Sequence, residues 1–224
     1  PWYPEAVKLL NENPRLEVGL HLVLTSEWEA YKWRPLTDAP SIVDENGYFY
    51  PMTWPNENYP DSVALINVSW DSEEVERELR AQIDRALEDI PHINHLSSHM
   101  YVINSSPEFR EVFEKVAHEY TIKLADQSEV QRIRFGGKEK SAMEKEAELV
   151  RIVEELEPGT WMLVDHPAFD TPEMQAITHI GYENVAADRA GVTVAFTSEK
   201  VMEVIRKRGI ELITYQDLLN KEQH

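Results

Sequence analysis

Apolar and polar positions along the chain form two patterns: short apolar runs, and helical stretches with one apolar stripe. The apolar runs predict strands at Glu17–Leu24, His92–Ser97, Tyr120–Leu124, Thr160–Val164 and Ile210–Thr214. Helical spacing lies between most of these runs, and strands that are separated by helices pair in parallel. The pattern therefore predicts an α/β fold with a parallel sheet, either open or closed into a barrel.

Capping residues and prolines indicate where the helices begin and end. Ser, Asp or Pro favours a helix start, and Pro or Gly favours a helix end. These signals predict helices from Asp71 or Ser72 to about Asp89, from Ser106, at Ser141–Leu156, near Tyr182–Arg189, near Ser198–Arg208 and from about Tyr215. We expect one domain over residues 1–224, with an aromatic-rich insertion at about 26–70.

The start of the chain differs from the expected α/β order. Residues 1–4 lead directly into an amphipathic helix whose apolar stripe contains Ala6, Leu9 and Leu10. A helix followed by the strand Glu17–Leu24 is the second half of a βαβ unit, so the first strand of that unit is expected to be missing. A trimmed or engineered start explains the same feature equally well.

The insertion from Ser26 to Trp70 has no regular pattern, and long segments of this kind are usually functional or disordered. It is rich in aromatic residues, which disorder disfavours: Trp28, Tyr31, Trp33, Tyr48, Phe49, Tyr50, Trp54, Tyr59 and Trp70. Flat aromatic faces fit sugar rings, so Trp28 and Trp33 are candidate substrate-binding residues. A lid over a barrel mouth or a contact in a homodimer explains the aromatic residues equally well.

Three histidines lie in or directly after apolar, strand-like runs. They are His21 in Val18–Thr25, His99 in Ile93–Met100 and His166 in Met162–Pro167. Imidazole binds metal ions and transfers protons near neutral pH, and α/β folds place active sites at the ends of parallel strands. The set predicts an enzyme. Taken singly, the three histidines also fit a hydrogen-bonded core residue, a strand end and a helix cap.

Composition narrows the range of partners. The net charge of −19, from 22 Lys and Arg against 41 Asp and Glu, argues against nucleic acid and anionic membranes, because phosphate binding needs clustered basic residues. The chain contains no cysteine, which excludes disulfides, thiolate ligands and cysteine nucleophiles. No apolar stretch approaches the roughly 18 residues of a membrane span, so a soluble, cytoplasmic protein is expected.

The motifs around these histidines resemble those of YdjC/ChbG-type carbohydrate deacetylases. The resemblance depends on Val18–Thr25, His95–His99, Asp165–Pro167, Asp188–Arg189, Phe196–Ser198 and Gly209–Tyr215, which follow the family's order over nearly the whole chain. It implies a deformed (β/α) barrel related to polysaccharide deacetylases, with a divalent metal ion at the C-terminal rim. The implied activity is removal of acetyl groups from N-acetylated mono- or oligosaccharides such as chito-oligosaccharides.

The resemblance also implies roles for individual residues. His21 and His99 are the implied metal ligands, and His166 lies beside them, which suits a role in proton transfer. Two family features differ in this chain: the Asp-Asp pair that ends the family's first strand has no matching residue, and Ser97 stands where the family has Asp. Serine carries no charge, so the role of that Asp is weakened or replaced.

Amide hydrolysis gives these residue types a chemical rationale. A divalent ion stabilises the developing oxyanion and lowers the pKa of its water toward ~7. Two imidazoles and a carboxylate hold such an ion, and imidazole favours Zn, Mn, Fe, Co or Ni over Mg. We expect a divalent metal ion, either Mg or Zn, as the cofactor.

Two further polar residues, Asp165 and Arg189, lie in the motifs and could take part in this chemistry. Asp165 is not assigned as the orienting partner of His166, because neighbours on a strand point to opposite faces. Arg189 is a candidate for holding the carbonyl or a sugar hydroxyl, and a structural ion pair is its alternative role in this acidic chain.

The leading interpretation is a metal-dependent N-deacetylase of glycans on a (β/α) barrel. A second interpretation is another metal hydrolase or isomerase of small metabolites, because one fold hosts many chemistries. A third is a catalytically silent carbohydrate-binding or assembly subunit, which Ser97 and the unmatched Asp pair favour.

Overall fold

Two small parallel sheets carry the strands of the protein, whose computed structural model describes residues 2–125 and 130–221. The strands are β1 (Val18–Leu22), β2 (Ile93–Ser98), β3 (Lys123–Leu124), β4 (Gln131–Arg132) and β5 (Trp161–Met162). The helices are α1 (Tyr3–Glu12), α2 (Ser72–Asp89), α3 (Pro107–Glu119), α4 (Ala142–Glu155), α5 (Pro172–Gln175), α6 (Val185–Phe196), α7 (Glu199–Arg208) and α8 (Tyr215–Lys221). Short 3-10 helices lie at Pro40–Ile42, Asp61–Val63, Leu65–Asn67 and His99–Asn104.

The larger sheet has the strand order β1-β2-β3, and both of its pairings are parallel. Helix α2 connects β1 to β2 and α3 connects β2 to β3, because parallel neighbours need a crossover connection. In the register of the sheet, His21 on β1 stands opposite Ser97 on β2. The carboxyl ends of β1 and β2 therefore lie side by side. Strands β4 and β5 form the smaller sheet, also in parallel.

The predicted α/β class with parallel strands is confirmed, but two predicted elements are wrong. Residues 210–214 form no strand: Ile210 packs on the apolar cluster of α4 and α7, whereas Leu212 is 68% exposed. The helix predicted at Tyr182–Arg189 begins at Val185 and continues to Phe196 as α6. In the part of the chain that the structure describes, the strands form an open sheet of three and a pair, and these pairings close no barrel.

The capping signals in the sequence are confirmed by local geometry. The Asp71 carboxylate accepts two backbone hydrogen bonds at the start of α2, and the Ser106 hydroxyl accepts one at the start of α3. Ser141 and Glu144 form a capping box at α4. Gly209 ends α7 in a left-handed conformation with φ of 65°. None of the helices within residues 2–125 and 130–221 is long and apolar enough to cross a membrane.

The described residues group into two compact units. Unit 1 comprises residues 2–27, 32–125 and 213–221, and unit 2 comprises residues 28–31 and 130–212. The three-stranded sheet with α1, α2, α3 and α8 lies in unit 1, and β4 and β5 with α4–α7 lie in unit 2. The single domain expected over residues 1–224 stays a prediction.

The core of unit 1 includes part of the aromatic-rich insertion. Phe49 and Leu65 of the insertion are fully buried in the same cluster as Leu96 on β2. Trp70 stacks on Phe109 of α3, with ring centroids 4.1 Å apart. The insertion is therefore anchored to the sheet through its own apolar side chains.

Helix α2 also fixes the backbone on either side of the insertion's start. The Gln82 amide donates to the Val23 carbonyl at 2.8 Å and accepts from the Val23 N–H at 3.0 Å. The fully buried Glu78 carboxylate accepts from the N–H groups of Leu36 and Thr37 and from the Thr37 hydroxyl. Strand β1 is at the edge of the sheet, and Val23 is the residue that follows it. The Gln82 amide bonds both backbone polar groups of Val23, as a neighbouring strand would.

In unit 2, helices α4, α6 and α7 pack around a small apolar cluster that contains Leu149, Val153, Ala195 and Val201. Gly191 lets α6 approach α4 closely: a Cβ at this position would lie 3.1 Å from Cδ of Lys145 and 3.3 Å from Cα of Ala142. A larger residue at 191 would have to displace α4 backbone or the buried lysine stem.

Candidate active site

The first site residue, His21, is the next-to-last residue of β1. Its side chain shares a sheet face with that of Ser97 because the two residues are register partners. Nδ1 of His21 lies 2.7 Å from Oγ of Ser97. Ser97 therefore gives His21 an uncharged polar contact.

His99 follows the end of β2 and lies beside His21. The ring centroids are 5.5 Å apart and the rings are nearly perpendicular, at 82°. Nε2 of His99 lies 3.0 Å from Oε2 of Glu27, a residue that follows β1 by five positions. The structure thus brings together the two histidines that were predicted as metal ligands, with a carboxylate next to one of them.

The backbone after His99 turns through a conformation that side chains normally avoid. Met100 has φ of 46° and Tyr101 has φ of 54°, both in the left-handed region. Such residues cost about 1–3 kcal/mol each and persist where the surroundings fix them. Here the Thr53 hydroxyl donates to the Met100 carbonyl at 3.1 Å, and the Ile103 N–H donates to the Ser98 hydroxyl at 3.1 Å. These two bonds hold the turn that directly follows His99.

A third histidine, the buried His95, lies on β2 in the same sheet as His21. His95 stands opposite Gly19 in the register, and a Cβ at Gly19 would lie 2.1 Å from Nε2 of His95, so glycine is required there. Tyr215 of α8 packs on the ring, with centroids 4.4 Å apart. Burial lowers the pKa of His95, and the nearby Glu17 carboxylate partly opposes that shift. His95 is thus a neutral packing residue near neutral pH.

Trp33 is the aromatic residue of the insertion that the structure places at the histidines. Its ring centroid lies 6.3 Å from that of His99. The indole N–H donates to the Thr25 carbonyl at 2.9 Å, and the backbone N–H donates to the Ser26 hydroxyl at 3.1 Å. The indole bond holds the ring in one orientation, as a preformed binding surface requires, and the backbone bond anchors the residue that carries it.

Trp28 and Arg189, both predicted to bind substrate, lie in unit 2 and contact each other. The guanidinium carbon of Arg189 lies 5.1 Å from the centroid of the Trp28 ring. His179 and Tyr182 flank the same ring at 5.4 Å and 6.3 Å. Nε of Arg189 is buried and makes no hydrogen bond to the described residues. An unmade hydrogen bond of this kind is costly, so the group is suited to a ligand that supplies an oxygen.

His166 also lies in unit 2, on an irregular segment after β5. Its side chain is 62% exposed, and Nδ1 lies 4.0 Å from Oδ1 of Asp165. The same Asp165 oxygen accepts the backbone N–H of His166 at 2.7 Å. At 4.0 Å the carboxylate makes no hydrogen bond to the ring, so Asp165 is still not assigned as the orienting partner of His166. Strand alternation does not supply the reason, because β5 ends at Met162. The proton-transfer role of His166 stays a prediction.

Glu27 is the site residue that sequence reasoning missed. It is 8% exposed and follows the fully buried Thr25 and Ser26. Nothing in the local pattern indicates burial, since Thr-Ser-Glu after a strand is typical of a turn toward solvent. The one signal in the sequence is that Glu27 lies close to the candidate ligand His21 along the chain.

The side chains around His21 and His99 offer few donors for a metal ion. Within residues 2–125 and 130–221, no group of three or more His, Asp or Glu side chains is arranged to hold one. His21 and His99 supply two imidazole donors, whereas a protein site for a catalytic ion usually supplies three. Imidazole donors suit Zn²⁺ better than Mg²⁺, which prefers oxygen ligands.

Comparison with known proteins identifies the family. The sequence model of the YdjC-like protein family matches residues 1–207, which include His21, His99 and Arg189. This protein belongs to the YdjC-like family. The family resemblance inferred from the histidine motifs is confirmed.

Relatives of this YdjC-like chain carry one recurring name. This chain is 31% identical over 183 residues to a protein of Thermus thermophilus named carbohydrate deacetylase, across 72% of this chain and 65% of that protein. It is 26% identical over 230 residues to carbohydrate deacetylase 1 of Listeria innocua, across 97% of this chain and 84% of that protein. The YdjC-like chain thus spans about two thirds of the length of the Thermus relative.

A solved structure supports the same relationship. A protein of Enterococcus faecalis V583, described as a candidate cellobiose-phosphate cleavage protein, superposes on this YdjC-like chain with a TM-score of 0.73 at 26% identity. The superposition covers 97% of this chain and 84% of the other.

Proposed function

We propose that this protein is a carbohydrate deacetylase that hydrolyses the acetyl amide of N-acetylated sugars. One observation carries the proposal: the imidazoles of His21 and His99 meet at the carboxyl ends of adjacent parallel strands. Relatives named carbohydrate deacetylase support the reaction class. Amide hydrolysis needs a polarised carbonyl, an activated water and a proton for the leaving amine, and imidazole-rich sites serve such needs.

The proposed enzyme is metal-dependent, with His21 and His99 as ligands. One ring nitrogen of each histidine has a polar partner, Ser97 for His21 and Glu27 for His99. Imidazole donors favour a Zn²⁺-type ion over Mg²⁺, which prefers oxygen ligands. A bound ion would polarise the acetyl carbonyl and acidify the attacking water.

The substrate proposed for the site is an N-acetylated mono- or oligosaccharide of the chito-oligosaccharide type. Trp33 is suited to stack on a sugar ring next to His99, since its indole N–H is already held by a hydrogen bond to the Thr25 carbonyl. Arg189 and Trp28 are proposed to bind sugar oxygens and a ring face, and His166 is proposed to transfer a proton to the leaving amine.

Two finer structural proposals accompany this function. We propose that β1, β2 and β3 belong to a deformed (β/α) barrel, which their parallel order with intervening helices supports. We also propose a homodimer. A crystal structure of the full gene product tests the barrel, and light scattering after size-exclusion chromatography tests the dimer.

The experiment that tests the function is an acetate-release assay on N,N′-diacetylchitobiose. Protein stripped with a chelator is compared with protein supplied with Zn²⁺ or Mg²⁺, and free amine is measured alongside acetate so that deacetylation is distinguished from other hydrolysis. We expect release of acetate and amine in equal amounts and only with metal. Binding of the sugar without acetate release under every condition would contradict the proposal and favour a silent carbohydrate-binding protein.

A further inference from the structure

Two exposed aromatic residues, Tyr101 and Trp54, lie at the turn that follows His99. Tyr101 is 44% exposed and Trp54 is 40% exposed. A single exposed aromatic residue is ordinary on a protein surface and indicates no function by itself. These two differ from that ordinary case in the backbone conformation of Tyr101 and in the way the structure joins the two segments.

A hydrogen bond joins the backbone segments that carry the two aromatic side chains. The Thr53 hydroxyl donates to the Met100 carbonyl at 3.1 Å. The residues that directly follow these two partners are the two exposed aromatic residues, so their side chains start from neighbouring backbone positions. Thr53 is fully buried, and its carbonyl accepts the Ile66 N–H at 3.2 Å, which fixes the segment that precedes Trp54.

Tyr101 occupies a backbone conformation that favours glycine. Its φ of 54° lies in the left-handed region, where a residue with a bulky side chain is an outlier. Glycine adopts this conformation without strain. Because much of the tyrosine stays exposed, burial of its ring offsets only part of that strain. Backbone strain clusters at ligand-binding sites, so the choice of tyrosine here indicates a role for its ring in binding.

Tyr101 and Trp54 continue the part of unit 1 that contains His99 and Trp33. Tyr101 is two residues beyond His99, so the Cα atoms of the two residues are at most about 7 Å apart. The Trp33 ring centroid lies 6.3 Å from that of His99. A ligand with one sugar ring on Trp33 therefore has two further aromatic side chains near the same end of β2.

We propose that Tyr101 and Trp54 form a second sugar subsite, which extends the site at Trp33 and makes the protein prefer oligosaccharides to monosaccharides. This inference deepens the proposed function and rests on it only in taking an N-acetylated sugar as the ligand. Tyrosine and tryptophan present broad apolar faces with few rotatable bonds, so they stack on a sugar ring with little loss of conformational entropy.

The first test measures sugar affinity by calorimetric titration, which needs no turnover. The sugars are N-acetylglucosamine, N,N′-diacetylchitobiose and N,N′,N″-triacetylchitotriose, and we expect the affinity of the wild type to rise with chain length. Tyr101→Gly and Trp54→Ala should each weaken binding of the trisaccharide by about 2–10-fold and leave binding of the monosaccharide unchanged. The double variant should lose most of the preference for the longer sugars.

Two control variants separate the loss of the ring from other effects of substitution. Tyr101→Phe keeps the aromatic face and should bind the trisaccharide as the wild type does. Tyr3→Ala removes an exposed aromatic side chain from α1. Helix α1 packs on Val18 and Ile93, the first residues of β1 and β2, so this variant should leave all three affinities unchanged.

The second test is the stability of the same variants in urea. Glycine removes the backbone strain at position 101, so Tyr101→Gly should have a higher urea midpoint than the wild type although it binds the trisaccharide more weakly. Tyr101→Phe keeps the strain and should unfold at the wild-type midpoint. A lower midpoint in Tyr101→Gly would show that the ring is needed for packing and would overturn the proposal.

Three binding results would also overturn the proposal. They are the absence of binding to all three sugars, equal affinity of the wild type for the three, and equal loss of monosaccharide and trisaccharide binding in Tyr101→Gly. A change of oligomeric state in Tyr101→Gly or Trp54→Ala, measured by light scattering, would make the two residues an interface instead of a subsite.

The subsite and the deacetylase function fail in different ways. If the wild type releases no acetate while its preference for longer sugars depends on Tyr101 and Trp54, the deacetylase function is wrong and the subsite stands. If acetate is released but Tyr101→Gly and Trp54→Ala bind the trisaccharide as the wild type does, the function stands and the subsite is wrong.

Discussion

The two units of the protein each contain a cluster of polar side chains, but the clusters are built differently. In unit 2, the fully buried Lys145 ammonium donates to the Asp188 carboxylate and, at 2.7 Å, to its backbone carbonyl. The Tyr182 hydroxyl donates to the same carboxylate. Burial, together with that carboxylate, raises the pKa of Tyr182 to about 12. Opposite charges are matched within the cluster.

In unit 1, the cluster consists of imidazoles instead of a matched ion pair. Ser97 contacts His21, Glu27 contacts His99, and the backbone beyond His99 is strained. Strain of this kind concentrates where a site is preorganised. The comparison indicates that the Lys145 cluster joins helices α4 and α6, whereas the histidine cluster is built to receive a ligand.

Lys145→Met gives the largest expected effect, and it is on stability. Removing one partner of a buried ion pair leaves the Asp188 charge uncompensated, which costs about 3–5 kcal/mol of unfolding free energy. Urea denaturation followed by circular dichroism measures the loss. The double variant Lys145→Met, Asp188→Asn should recover a large part of it. A Lys145→Met protein as stable as the wild type would mean that the pair does not join the helices.

His166→Gln should lower the deacetylation kcat by about 10²-fold without changing metal content, because a proton-transfer group acts on the reaction and not on the ion. Steady-state kinetics and metal analysis of the same preparation check both parts. Loss of bound metal in this variant would make His166 a ligand and extend the site beyond the two histidines of unit 1.

Trp33→Ala should raise KM for a chito-oligosaccharide several-fold while hardly affecting a minimal acetamide substrate, since stacking on a sugar ring contributes about 1 kcal/mol. Trp28→Ala, in unit 2, is the parallel variant and tests whether that ring also contacts sugar. Equal losses on both substrates would indicate general destabilisation instead of substrate binding.

His95 gives the smallest expected effect, on the pH dependence of stability. Its pKa is lowered in the folded protein from the usual 6.5, so the unfolded chain binds more protons between the two values. The unfolding free energy should therefore decrease as pH falls through 6.5 toward the lowered value. His95→Gln should show a flatter profile, and the exposed His118→Gln should show the wild-type profile. Identical profiles for His95→Gln and the wild type would contradict this account.

The sequence predicted those parts of the structure that depend on local pattern. The strands around His21 and His95 and the capped helices α2, α3 and α4 follow from periodicity and capping. The failures are residues whose environment is set by distant segments. The apolar run after Ile210 has no strand partner in the described residues, and the buried Glu27 contacts His99, which lies 72 positions further along the chain.

The most direct test of the account is the rate of acetate release by His99→Ala and His21→Ala compared with His118→Ala. Each protein is assayed on N,N′-diacetylchitobiose with Zn²⁺, after circular dichroism has shown that it is folded. The account predicts that the first two variants lose at least about 10²-fold in kcat/KM and lose bound Zn²⁺. It predicts that His118→Ala, an exposed histidine on α3, retains both. Full activity in a folded His99→Ala or His21→Ala protein would contradict the central claim.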